Sequence, residues 1–128
     1  MANLLPPYIG QGEFYFLKMI AEEIEKGYKP GSTFKPESQL YVFTKFRAAF
    51  GPFYPDRFMK YKIKQLKKRY QDFSELLSQN GINWNKKKNV VYGNEKLLRE
   101  NYKGRYAKAR EKNFDLMCQV FESGVMFE

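Results

Sequence analysis

An all-α fold with helix-turn-helix order is what this sequence predicts, from three observations. Met59, Ile63, Leu66, Tyr70, Phe73 and Leu77 recur at steps of 4, 3, 4, 3 and 4 within residues 57–77, which is one stripe of an α-helix and not the alternation of a strand. Just upstream, Leu40, Phe43, Phe46 and Phe50 recur at steps of 3, 3 and 4. Gly51-Pro52 leaves only a short turn between the two segments, the sequence form of a helix-turn-helix.

Taken in order, residues 1–12 read as an extended N-terminal arm, because Pro6-Pro7 and two glycines oppose a helix. Residues 13–26 read as the first helix, with Phe16, Leu17, Ile20 and Ile24 on one side, Gly27 at the C-terminal turn and Pro30 beyond it. The second helix is predicted over 36–50, with Pro36 in the first position and Glu37 complementing the helix dipole. Val42 and Ala49 widen its apolar side. The third helix, about 30 Å long at 1.5 Å per residue, starts at Asp56 as N-cap or at Pro55 as the rival signal.

Ser78-Gln79-Asn80-Gly81 breaks that helix. Ile82, Trp84, Val90, Val91 and Tyr92 flank Lys86–Asn89, as a small β-hairpin or as a packed loop. Trp84 pins this region to the core or stacks on a base. A short helix over 95–102 is predicted, capped by Asn94 with Leu97 and Leu98 buried, followed by a basic stretch to Lys112. Asn113 is the expected cap of a last helix carrying Phe114, Met117, Val120 and Phe121, ended by Gly124.

The chain has 128 residues, the length of one domain. At 43% hydrophobic and 18% aromatic it is far from a disordered composition. Its net charge of +9 points to a polyanion partner: DNA, RNA or an acidic membrane surface. The charge is uneven. Glu13, Glu22, Glu23 and Glu25 make the first helix acidic, and the positive excess lies from Arg57 onward. Lys60, Lys64 and Lys67 form a row on the third helix with Lys68 beside it, and Lys62 and Arg69 widen it, with no Asp or Glu between Arg57 and Tyr70. Arg57, Lys60, Lys62, Lys64, Lys67, Lys68 and Arg69 are therefore the candidate DNA contacts. Arg57, Lys60, Lys64, Lys67 and Lys68 would neutralise phosphates, and Lys62 or Arg69 would reach a base edge.

Enzyme chemistry is not expected. There is no histidine and a single cysteine, Cys118, on an apolar helical pattern, so neither a His-based triad nor an intrachain disulfide nor a cysteine zinc site is available. Glu22-Glu23 and Asp115 lack partners for divided acid and base roles. No phosphate-loop, dinucleotide, zinc-protease or nucleophile-elbow pattern occurs, so no cofactor or metal is implied. No apolar run of 18 residues or signal segment is present, and no segment pairs a strong apolar moment with terminal Trp anchors, so a membrane is not an expected partner; without catalytic groups, neither is a small-molecule substrate.

The text YPDRFMKYKIKQLKKRYQDFSELLSQNGINW, followed by VVYGNEKLL and FDLMCQVF, resembles the Myb/SANT-like domains, many of them related to Harbinger-type transposons. The resemblance rests on Tyr54, Lys60, Leu66-Lys67-Lys68, Tyr70, Leu76-Leu77, Ser78, Gly81, Trp84 and Leu116 to Phe121, with Phe16-Leu17, Gly27, Phe34 and Phe46 upstream. It implies a three-helix, homeobox-like core (13–80) whose long basic third helix lies in the DNA major groove, with 81–128 as a C-terminal extension of a loop or hairpin and one or two helices. Where Myb-type domains place core tryptophans this chain has Ile9, Gln39-Leu40 and Leu98. It looks like a divergent member, and such members also serve as protein-interaction modules without DNA contact. A basic third helix favours DNA.

Without catalytic groups, the expected role is a nuclear accessory subunit that brings double-stranded DNA to a DNA- or chromatin-modifying complex. The Lys, Asn, Tyr and Phe bias suits a ciliate-like genome, and small homeobox-like subunits of a ciliate DNA adenine methyltransferase complex are the concrete candidate. The N-terminal arm, the acidic first helix and Val125-Met126-Phe127 are the expected docking surfaces for protein subunits.

Overall fold

The computed structural model describes residues 5–85, 87, 90–93, 96 and 111–127. Among them the chain is mostly helical: α1 (Leu5–Glu25), α2 (Pro36–Phe50), α3 (Asp56–Leu77) and α4 (Phe114–Phe121), with one antiparallel pair, β1 (Ile82–Asn85) and β2 (Val90–Gly93). Apart from Lys96, which is helical and exposed, the helix expected over 95–102, its buried leucines and the basic stretch 103–110 lie outside the described residues.

The first correction concerns the N-terminus. Helix α1 begins at Leu5, so residues 5–12 are helical rather than an extended arm. Pro6 and Pro7 fall in the first turn, where a backbone N–H has no partner in any case and the fixed φ suits a helix. Gly12 is kept small by packing. A Cβ there would lie 2.9 Å from two ring carbons of Phe46, and Phe46 is fully buried. Gly12→Ala should therefore destabilise the domain by about 1 kcal/mol net. The helix-propensity gain of about 1 kcal/mol is outweighed by an overpacking cost of about 1–3 kcal/mol. A lower urea midpoint with an unchanged slope is the expected reading.

Helix α2 has the predicted bounds. Lys35 before it is extended and makes no side-chain cap. The Tyr28 hydroxyl substitutes, accepting the Lys35 N–H at 2.8 Å and donating to Ser38 Oγ at 2.7 Å. Val42, Phe43 and Phe46 are buried, but Leu40 and Ala49 at the ends of the predicted stripe are exposed. The turn to α3 is clamped by Arg47, whose Nη1 donates to the Tyr54 carbonyl at 3.0 Å and to Asp56 Oδ1 at 2.7 Å. Pro55, not Asp56, takes the N-cap position of α3. Its carbonyl accepts the N–H groups of Phe58 and Met59.

One contiguous core joins all these elements. Helix α4 packs on both α1 and α3 and buries Phe114, Met117 and Val120. Tyr70 of α3 stacks on Phe114 and meets Phe121, and its hydroxyl donates to Glu122. The hairpin is pinned by Trp84, whose ring meets Phe73 at 6.0 Å and Phe114 at 5.2 Å, both edge-on. Of the two readings of Trp84, core packing is the one this contact set supports. Gly93 closes the hairpin with φ +134, and a Cβ there would sit 2.0 Å from the Gly81 carbonyl oxygen.

Val125-Met126-Phe127 is the second correction. The segment lies against residues 31–34 through a parallel bridge, Thr33 to Met126, with Phe34 N–H on the Met126 carbonyl at 2.7 Å and Met126 N–H on the Ser32 carbonyl at 2.8 Å. Val125 is buried and Phe127 meets Phe34 and Phe121. Only Met126 of the three is exposed, so the segment closes the core instead of offering a docking surface.

Candidate nucleic-acid interface

Helix α3 sets the geometry. At about 100° per residue, the buried side chains Met59, Ile63, Leu66 and Phe73 gather on one side, and Arg57, Lys60, Lys64, Lys67 and Lys68 fall within an arc of about 100° on the opposite side. All five are exposed. Along the axis they run about 17 Å, 11 residues at 1.5 Å each. Among the described residues no carboxylate forms an ion pair with Arg57, Lys60, Lys64 or Lys67. Lys68 shares its charge with Asp72 at 2.8 Å, one turn on.

The other two candidates lie on the inner flank. Lys62 is only 7% exposed. Its ammonium sits 3.2 Å from Glu13 Oε1 and donates to Gln65 Oε1 at 2.7 Å. Arg69 forks twice. Nη1 and Nη2 donate to the two Glu13 oxygens at 2.6 and 3.0 Å, and Nε and Nη2 donate to Glu111 at 3.1 and 2.7 Å. Asn113 adds a bond to Glu13 Oε2 at 3.0 Å instead of capping α4. Both carboxylates are buried, Glu13 at 7% and Glu111 at 5% exposure. Lys62 and Arg69 thus do not widen the exposed ridge. They neutralise carboxylates of α1 and of the segment before α4, where an uncompensated charge would be prohibitive.

Electrostatics follow the same division. Burial is the largest single influence on Glu13 and opposes its ionisation, but Arg69, Lys62 and Asn113 together hold its carboxyl below the ordinary value. Burial pushes the Lys62 ammonium down, and Glu13, already forked by Arg69, does not restore it. Arg69 is desolvated too, yet its bonds to Glu111 and Glu13 raise its value.

The ridge holds two uncharged side chains that charge counting missed. Tyr61 is 62% exposed and Gln71 is exposed. By helical position Tyr61 borders the lysine row and Gln71 continues it one turn beyond Lys67, which the sequence spacing alone would have revealed. Among the described residues no helix is long and apolar enough to cross a membrane, and no three His, Cys, Asp or Glu side chains are grouped to hold a metal.

A small helical domain with an exposed cationic helix face opposite its core has the form of a nucleic-acid-binding module. The family model described as the Myb/SANT-like DNA-binding domain matches residues 10–100, and the chain belongs to that family. Searches of curated proteins and of solved structures return no match.

Proposed function

We propose that this chain is a non-catalytic nuclear protein that binds double-stranded DNA through α3. In this reading α1, α2 and α3 correspond to the three helices of a homeobox-like core, and α3 is the helix that lies in the major groove. The observation that carries it is the ridge itself. Arg57, Lys60, Lys64 and Lys67 are exposed along one face without a carboxylate partner among the described residues, while the opposite face is locked into the core. The family match supports the same partner. With four to five phosphate contacts, log affinity should fall against log salt with a slope between about −3.5 and −4.5. A gel-shift series in rising salt measures this, and a flat response would sink the reading.

The same chain acts, in this proposal, as an accessory subunit of a DNA- or chromatin-modifying complex, the adenine methyltransferase complex of ciliates being the concrete candidate. Phe14 and Tyr15 on α1 and Leu40 and Tyr41 on α2 are exposed and give a partner apolar area outside α3. They also favour the alternative, a protein-interaction module with no DNA contact. Size exclusion of the pure chain and of native extract, each followed by the salt series, separates the two.

A further inference from the structure

We infer that the ridge discriminates base pairs, reading A·T pairs through Tyr61 and Gln71. The inference rests on the DNA-binding reading and deepens it. A lysine is a point charge without planar, directional donors, so Lys60, Lys64 and Lys67 suit phosphates. Tyr61 and Gln71 have different chemistry. Tyr61 brings a largely exposed ring with a hydroxyl, and Gln71 brings an exposed amide. Among the described residues neither makes a hydrogen bond, ion pair or ring contact, so nothing in the fold explains either side chain.

Both match the same base pair. In the major groove thymine alone presents a methyl group, which takes apolar contact, and adenine presents N7 and N6–H₂, which a glutamine amide meets in bidentate fashion. Tyr61 lies one turn beyond Arg57 and one turn before Lys64, on the shoulder of the ridge. Gln71 lies near its midline, one turn beyond Lys67 and Lys68. Ten residues separate them, about 15 Å along the helix, which is about four base-pair steps of duplex. The cations then hold the backbone on the way, and the two uncharged side chains reach bases at either end.

The test is selection of the 128-residue chain on a pool of random duplexes, repeated with Tyr61→Ala and Gln71→Ala. Both positions are exposed, so both variants should melt like the wild type. The wild type should enrich T at one position and A about four base pairs away. Tyr61→Ala should lose the first preference and Gln71→Ala the second, each with an unchanged salt slope. Replacing the selected thymine by deoxyuridine should weaken wild-type binding about fourfold, the worth of one buried methyl group, and leave Tyr61→Ala binding unchanged. Salt-dependent binding with no base preference, or with G·C preference, overturns this inference and leaves the DNA reading standing. No binding to any duplex overturns both.

Discussion

Replacing Arg69 by methionine is expected to remove about 3–5 kcal/mol of stability, the cost of deleting one partner of a buried ion pair. A domain of this kind holds only about 5–15 kcal/mol in total. Among the described residues Arg69 is the one side chain bonded to both Glu13 and Glu111, and its loss removes the ion pair of buried Glu111 and leaves buried Glu13 with only Lys62 and Asn113. A variant that also carries Glu13→Gln and Glu111→Gln should recover part of the loss, because neither carboxylate then carries a charge and only Lys62 loses its ion-pair partner. Lys62→Met should stay within about 1 kcal/mol of the wild type, since the Arg69 fork on Glu13 survives and burial already disfavours the ammonium.

The pH dependence sharpens this prediction. Glu13 titrates below its ordinary value in the wild type. Its contribution is present above the unfolded value of about 4.3 and is lost as pH falls through the folded value. In Arg69→Met, burial would dominate and raise the carboxyl above that unfolded value. The variant should then gain stability on mild acidification from neutral, where the wild type is level. Urea midpoints from pH 4 to 8 decide the matter, and parallel curves would refute the account.

Reversing Lys60, Lys64 and Lys67 to glutamate should lower DNA affinity roughly 500-fold at about 0.1 M salt, because three counterions, each entering at about the 0.9 power of salt, are no longer released. Repulsion by the new carboxylates adds to this. The slope against salt should flatten from about −3.6 to about −1. All three positions are exposed, so stability should change by no more than about 0.5 kcal/mol. Unchanged affinity in a folded triple variant would remove the ridge from the interface.

What the sequence disclosed and what it withheld divide by range. The bounds of α2 and the two sides of α3 were legible because they depend on a local period of 3.6 residues. Pro6 and Pro7 misled because the same residues that break a helix interior are welcome in its first turn. Lys62 and Arg69 were misplaced for a different reason. Helical position puts them toward the core side, but the carboxylates that admit them there stand 42 to 56 residues away from Arg69 in the chain, and no local pattern reveals such a pairing. The tail was misread in the same way, since its partner strand is the loop at residues 31–34.

The bond from Asn113 to Glu13 spans 100 residues, and that span carries a consequence for synthesis. At about 5–20 residues per second on the ribosome, Glu13 waits about 5–20 seconds for its last ligand. During that interval the nascent chain holds an unsealed hydrophobic face and an incomplete ionic knot, both exposed to chaperones before α4 and the final bridge close over them.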